Sequence, residues 1–301
     1  MSSPGFVQSF RTSRRRQRQL RLVLTYLVAL ILIVFALFPV IWIISASLNP
    51  ANSLATQTLI PRNASFQNYK LLLTDNPFSE IYPFRRWLFN SIKLAGITTL
   101  CSISITTTAA YSFSRFRFRQ RQNMLRGILL IQVFPSLLVM VAVFLLIQQI
   151  GSVIPAFGLN THNGLILAYL GGAMGINIWL MKGYFDSIPR EIDESAMVDG
   201  ATHWQIFTRL LLPLMRPIIV VVAILSFIFV YGDFVVARIL LKTTEQYPLT
   251  VGLYIFTSGQ FAQQWGVFAA GALIGALPIV IVYLILQDQI VGGLTQGAVK
   301  G

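Results

Sequence analysis

The sequence predicts an all-α, polytopic membrane protein with six transmembrane helices, and three observations carry that prediction. Of its 301 residues 55% are hydrophobic and 11% charged, with a mean hydropathy of +0.69. A soluble domain with so little charge could not cover its own surface. Six apolar runs approach or exceed the roughly 20 residues that a helix needs to cross a bilayer core. The Lys and Arg residues stand in short blocks beside those runs, as membrane topology requires.

Residues 1–21 form a basic tail with Arg11, Arg14, Arg15, Arg16, Arg18 and Arg21. The run Leu22–Ala46 follows, 25 residues against the roughly 7–15 of a cleavable signal core. Ala46-Ser47 could mimic a cleavage site, but the length assigns a first span. The next spans are Leu94–Ser114, Gly127–Ile150 and Leu165–Met181, the last with a possible extension to Phe185. The fifth, Leu210–Ala237, carries Arg216 near its start and Asp233 near its end, and the sixth is Trp265–Gln287. The permease domain therefore covers 22–290, and 291–301 is a tail. Pro39, Pro135 and Pro278 are expected to kink their helices. Gly171/Gly175 and Gly271/Gly275 have the spacing that lets helix backbones approach closely.

Six spans put both termini on one side, and the basic residues choose it. The second-to-third connection adds Arg115, Arg117, Arg119, Arg121 and Arg126, and the fourth-to-fifth adds Lys182, Arg190 and Arg209. Across the membrane Arg62, Lys70, Arg85, Arg86, Arg238 and Lys242 fall in the two longer connections, where charge counts less. The short connection Gly151–His162 has none, so both termini are expected in the cytoplasm. A net charge of +13 without an aromatic-studded basic stripe points to topology and excludes nucleic acid as a partner. Cys101 is the sole cysteine, and His162 and His203 have no helix-spaced partner, so no metal site is expected. No GxxxxGK[ST] segment is present, so the chain is not expected to bind ATP by itself, and no other cofactor is expected on it.

The most informative segment is the connection Ser187–Pro217. Ser187 can cap a helix whose first turns hold Pro189, Glu191, Asp193 and Glu194. Ile188, Ile192 and Ala196 make an apolar stripe at i, i+4, i+8, and Asp199-Gly200 stops the helix. Thr202-His203-Trp204-Gln205 has the form of a capping box; Trp204, Phe207 and Leu211 then share a face, and Pro213 marks the start of the fifth span. On pattern alone two readings stand: an amphipathic pair lying on lipid headgroups, or a docking element.

Glu194-Ser195-Ala196, then Asp199-Gly200-Ala201, then Leu212-Pro213, resembles the EAA loop of bacterial ABC importer permeases, with Ser195 in place of the second Ala. The resemblance covers nearly the whole chain. Leu159–His162, Ala168–Gly172, Lys182–Phe185, Ala110–Phe118 and Gly293–Gly301 look like the smaller permease subunits of maltose-type importers. It implies a type I ABC importer permease architecture whose cytoplasmic coupling helix, within 187–213, docks on an ATPase. Glu194, Ser195, Ala196, Asp199, Gly200 and Ala201 then belong to the docking element. It further implies a multi-pass protein of the bacterial inner membrane and a second permease subunit in a heterodimer. Two ATPase subunits that bind ATP and Mg, and an extracytoplasmic sugar-binding protein, complete the machine. Maltose or maltodextrin is the implied cargo; another sugar such as trehalose is the alternative. A tail with Thr295, Gln296, Gly297 and Lys300 would reach between the ATPase subunits. Tyr247, Tyr254, Ser258 and Gln260, in the loop 243–264, would face the binding protein.

Asp233 is the one acidic residue near the membrane interior, where a charge is expensive and commonly functional. Pairing with Arg238 and a gate or pathway role are both open. A stand-alone secondary transporter would more often show internal repeats or intramembrane ion ligands. An intramembrane enzyme would need convergent catalytic groups. Neither pattern is present, and the chain is expected to be non-catalytic.

Overall fold

The computed structural model describes residues 5–53, 58–61, 63–258 and 263–298. The described residues form helices and connections and no strand. Helix α1 (Gly5–Ser47) runs unbroken through Pro39, and its apolar part exposes side chains all round, from Leu22 to Phe35 and Ile41. Only lipid or another membrane subunit can face such a surface without cost. Two short helices, α2 (Gln67–Leu73) and α3 (Pro77–Ile81), lead to α4 (Phe84–Arg115), 32 residues without a break.

The next three predicted spans are bent. Helices α5 (Arg121–Val133) and α6 (Ser136–Val153) meet at 109° beside Pro135, which has no N–H to continue the ladder. Helix α7 (His162–Ser187) turns by 50° between Gly172 and Met174. The helix α8 (Glu191–Val198) precedes α9 (His203–Gln205), a π-helical turn Ile206–Leu211, α10 (Leu212–Leu214) and α11 (Arg216–Gly232). The arms 203–214 and 216–232 differ by 75°. With each bent pair taken as one span, these and the three straight apolar helices make six.

The fifth span ends at Gly232, five residues earlier than predicted, because Asp233 adopts an extended conformation. Helices α12 (Val235–Leu240) and α13 (Leu249–Ser258) follow, too short to cross a bilayer. The last helix, α14 (Trp265–Ala298), passes through Pro278 unbroken. Of the three prolines predicted to kink, Pro135 alone splits its helix.

Two buried cores sit at opposite ends of α4. One packs Phe84, Trp87 and Leu94 against Val251, Leu253, Phe256, Val267 and Ala270. The other gathers Ala110, Tyr111, Met181, Phe185, Ile206, Phe207, Leu211 and Met215. From Trp87 to Tyr111 the helix rises about 36 Å. Between them, Asn177 Nδ2 of α7 donates to Ser102 Oγ of α4 at 3.3 Å and to Ser226 Oγ of α11 at 3.1 Å. The glycine pairs work differently from prediction: Gly271 and Gly275 make room for the side chains of Leu253 and Leu249, and Gly171 faces open space.

Candidate functional site

Helix α8 starts later than the sequence suggested. Pro189 disfavours helical backbone at the residue before it, so Ile188 is extended (φ −82°, ψ 123°) and separates α7 from α8. Ser187 is consequently the last residue of α7, its Oγ donating to the Tyr184 carbonyl at 2.7 Å, and not a cap. Arg190 occupies the capping position without a side-chain cap. Glu191, Asp193 and Glu194 in the first turn instead favour the positive helix end.

The end of α8 is a Schellman motif. The Ala201 N–H donates to the Ala196 carbonyl at 2.9 Å and the Gly200 N–H to that of Met197 at 3.0 Å. Gly200 has φ +83°, the left-handed conformation predicted for it. The capping box also forms, with the Gln205 N–H donating to Thr202 Oγ1 at 3.3 Å and the Thr202 N–H to Gln205 Oε1 at 2.8 Å. Directly after Gln205 the ladder widens into the π-helical turn. Pro213 has no N–H for the Arg209 carbonyl and its ring would crowd that group, so the widened turn relieves both.

The two faces of α8 differ sharply. On the inner face Ile188 and Ala196 join the core of Tyr111, Phe185, Phe207 and Leu211. Asp193 is buried there too, with Oδ2 2.5 Å from Arg115 Nε. Burial pushes its carboxyl above the ordinary aspartate range against the opposing pull of Arg115. Arg115 Nη2 donates to the Ile188 carbonyl at 3.1 Å, and Arg190 Nη2 reaches back to the Ser114 carbonyl at 3.0 Å. Ser114 Oγ donates to Asp186 Oδ1 at 2.6 Å, and Lys182 Nζ lies 2.5 Å from Asp186 Oδ2. Tyr111 OH donates to the His203 carbonyl at 3.3 Å, and the Phe116 and His203 rings meet edge to face at 5.2 Å.

The outer face is open. Glu194, Ser195, Asp199 and Gly200 are exposed, Ala201 is half-buried, and Val198 (88%) and Trp204 (66%) are the most exposed apolar groups of the loop. Of the predicted triplet, therefore, Glu194 and Ser195 face outward and Ala196 packs inward. The predicted stripe likewise splits: Ile192 is exposed while Ile188 and Ala196 are covered, and Trp204 leaves the face that Phe207 and Leu211 bury. The sequence reading missed Arg115, Arg190 and Asp193 as a clasp. Both arginines read as topology markers in the sequence, and the signal for the clasp is the serine–arginine pair 114–115 ending one helix near a carboxylate-rich helix start.

Asp233 does not pair with Arg238. Its Oδ2 accepts from Tyr169 OH of α7 at 2.9 Å and from the Ala237 N–H at 3.0 Å, and its carbonyl accepts from Thr250 Oγ1 at 2.5 Å. Arg238 instead donates to Tyr247 OH at 2.9 Å and lies over that ring. Tyr247 is buried, which removes it from any contact surface. Tyr254 (45% exposed) and Ser258 at the end of α13 are accessible. Gln260 and Lys300 lie outside the described residues. The backbone of α14 includes Thr295, Gln296 and Gly297, and the side chains of Thr295 and Gln296 also lie outside the description.

A bundle of apolar helices with one braced, outward-facing knob has the layout of a membrane permease. The chain belongs to the family of binding-protein-dependent transport system inner membrane components, which it matches over residues 86–294. It is 43% identical over 293 residues to the maltose/maltodextrin transport system permease protein MalG of Photorhabdus laumondii, covering 95% of this chain and 98% of the relative. The protein of the same name from Escherichia coli K12 is 42% identical over 297 residues, covering 95% and 98%. In fold it is similar to a chain of a bacterial ABC transporter involved in the import of the acidic polysaccharide alginate. That likeness has a TM-score of 0.76 at 24% identity and covers 91% of this chain and 97% of the other.

Proposed function

We propose that this chain is the smaller permease subunit of an ATP-driven importer for maltose and maltodextrins, and that α8 is the helix through which the motor acts on it. One observation carries the reading. The loop resembling the family's docking element is held rigidly from beneath by Asp193, Arg115 and Arg190, while Glu194, Ser195, Met197 and Val198 stand uncovered above. A headgroup-bound amphipathic pair would bury one continuous apolar face in lipid. Here the apolar side is already occupied by the protein's own core, and what projects is a short knob ending in a tight glycine turn.

The cargo follows from likeness to relatives named for maltose and maltodextrin transport at better than two-fifths identity along the whole chain. In the proposed machine the chain pairs with a second permease subunit, and two ATPase subunits bind ATP and Mg in the cytoplasm. A periplasmic sugar-binding protein delivers cargo to the opposite side. The α8 loop and both termini face the cytoplasm, since the basic connections flank them. Closure of the ATPase pair would displace α8 as a rigid body, and the bundle would follow. The tail 291–301, with Thr295, Gln296, Gly297 and Lys300, would contribute a second ATPase contact. Tyr254, Ser258 and Gln260 would meet the binding protein. Asp233, which ties α7 to the break between α11 and α12, would act in an outer gate.

The test is the complex purified from membranes and reconstituted with sugar-loaded binding protein. The ATPase subunits should co-purify, and maltose or maltodextrin should stimulate turnover. A Cβ at Gly200 meets no atom within 4 Å, so the first cost of Gly200→Val is its left-handed backbone, about 1–2 kcal/mol. It should uncouple turnover from sugar or release the ATPase. Full sugar-stimulated turnover in that variant would contradict the docking assignment.

A further inference from the structure

We propose that α4 is a strut that joins the docking loop at one end to the lead-in of α13 at the other, so that the two move together. The inference rests on α8 being the docking element. It is drawn from how the ends of α4 are bonded, together with the continuity of the helix between them.

At the α8 end, the last five residues of α4 bond to the chain before, within and after α8. Ser114 Oγ reaches Asp186 before α8, Arg115 reaches Asp193 within it, and Tyr111 OH reaches the His203 carbonyl after it. Arg190 returns the grip on the Ser114 carbonyl. At the other end, Trp87 Nε1 donates to the Thr244 carbonyl at 2.8 Å. Asn90 Nδ2 donates to the carbonyls of Glu245 at 2.9 Å and Tyr247 at 3.0 Å, and Ser91 Oγ accepts from the Leu249 N–H at 2.7 Å. These four positions are the chain that leads into α13.

The helices beside α4 are built to absorb motion. The pair α5/α6, helix α7 and the segment running into α11 bend by 109°, 50° and 75°. A displacement at one end of a broken helix can be taken up at its break. Helix α4 has no break, so a displacement of its final turn must appear at its first. Helices α1 and α14 are also unbroken, but among the described side chains neither contributes one to the core beneath α8. Arg115 and Asn90 are thus positioning residues for coupling, acting through α4 from points about 37 Å apart.

The experiment is a double-mutant cycle in the reconstituted complex with Arg115→Ala and Asn90→Ala. The readout is the ratio of ATP turnover with sugar-loaded binding protein to turnover without it. Each single variant should lower that ratio roughly fivefold or more, and the double variant should be little worse than the poorer single. Sites so far apart ordinarily act independently, so a non-additive result reports the shared strut and not two local defects. If Arg115→Ala lowers the yield of folded chain, Asp193→Asn keeps the shape while removing the charge and should give the same pattern with Asn90→Ala. Losses that multiply, or a ratio unchanged in either single variant, would overturn the strut while leaving docking intact. Failure of the ATPase to co-purify with the unaltered chain would remove the docking reading and the strut with it.

Discussion

At the α8 end, α4 is gripped by charge: two arginines, two aspartates and backbone carbonyls, with the Arg115–Asp193 pair covered and Arg190 and Asp186 at the surface. At the α13 end it is gripped by neutral groups, an indole N–H, a carboxamide and a serine hydroxyl, each on the main chain of the partner segment. The apolar surroundings differ as well. Trp87 is completely buried and fills the space left by Gly252, where a Cβ would lie 2.2 Å from its ring. Above α8, by contrast, Val198 and Trp204 are left uncovered. One end is a finished interior. The other is fixed beneath and open above, as the proposed docking surface must be if another subunit is to push on it.

The largest effect should come from breaking the finished end. Trp87→Ala removes a fully buried ring and its hydrogen bond, and should cost about 3–5 kcal/mol. A thermal melt in detergent or nanodiscs would register it, and a loss under about 1 kcal/mol would show that this core is not closed. The open end should respond in the opposite way. Val198→Asp should leave the melt unchanged but weaken binding of added ATPase to stripped membranes by about tenfold, or roughly 1.4 kcal/mol. An unchanged affinity would place the motor's contact elsewhere on the loop. The smallest effect belongs to Tyr169→Phe, which deletes one hydrogen bond to Asp233 and should cost about 0.6–1 kcal/mol. If it also raises turnover in the absence of binding protein, the Tyr169–Asp233 bond helps hold an outer gate shut. A stability change alone would make it structural.

Some of this was open to reading one residue at a time. Gly200 and the Thr202–Gln205 box are local signals, each satisfied by atoms within five residues, and both formed as read. Pro189 is as visible in the sequence, but its force falls on Ile188 before it and moves the helix start past Ser187. Asp233 and Arg238 looked like a pair because they are close in sequence. Their partners, Tyr169 and Tyr247, are set by how α7 and the α12–α13 connection pack.

By itself the chain determined its solvent, its apolar runs, the stop at Gly200 and the resemblance of its loop, since composition, length and turn geometry act within a few residues. Only the tertiary structure decided which runs bend, which face of α8 is covered, and that Arg115 meets Asp193 from 78 positions away. Burial and pairing of charge depend on what a distant segment brings alongside, and no local pattern carries that information.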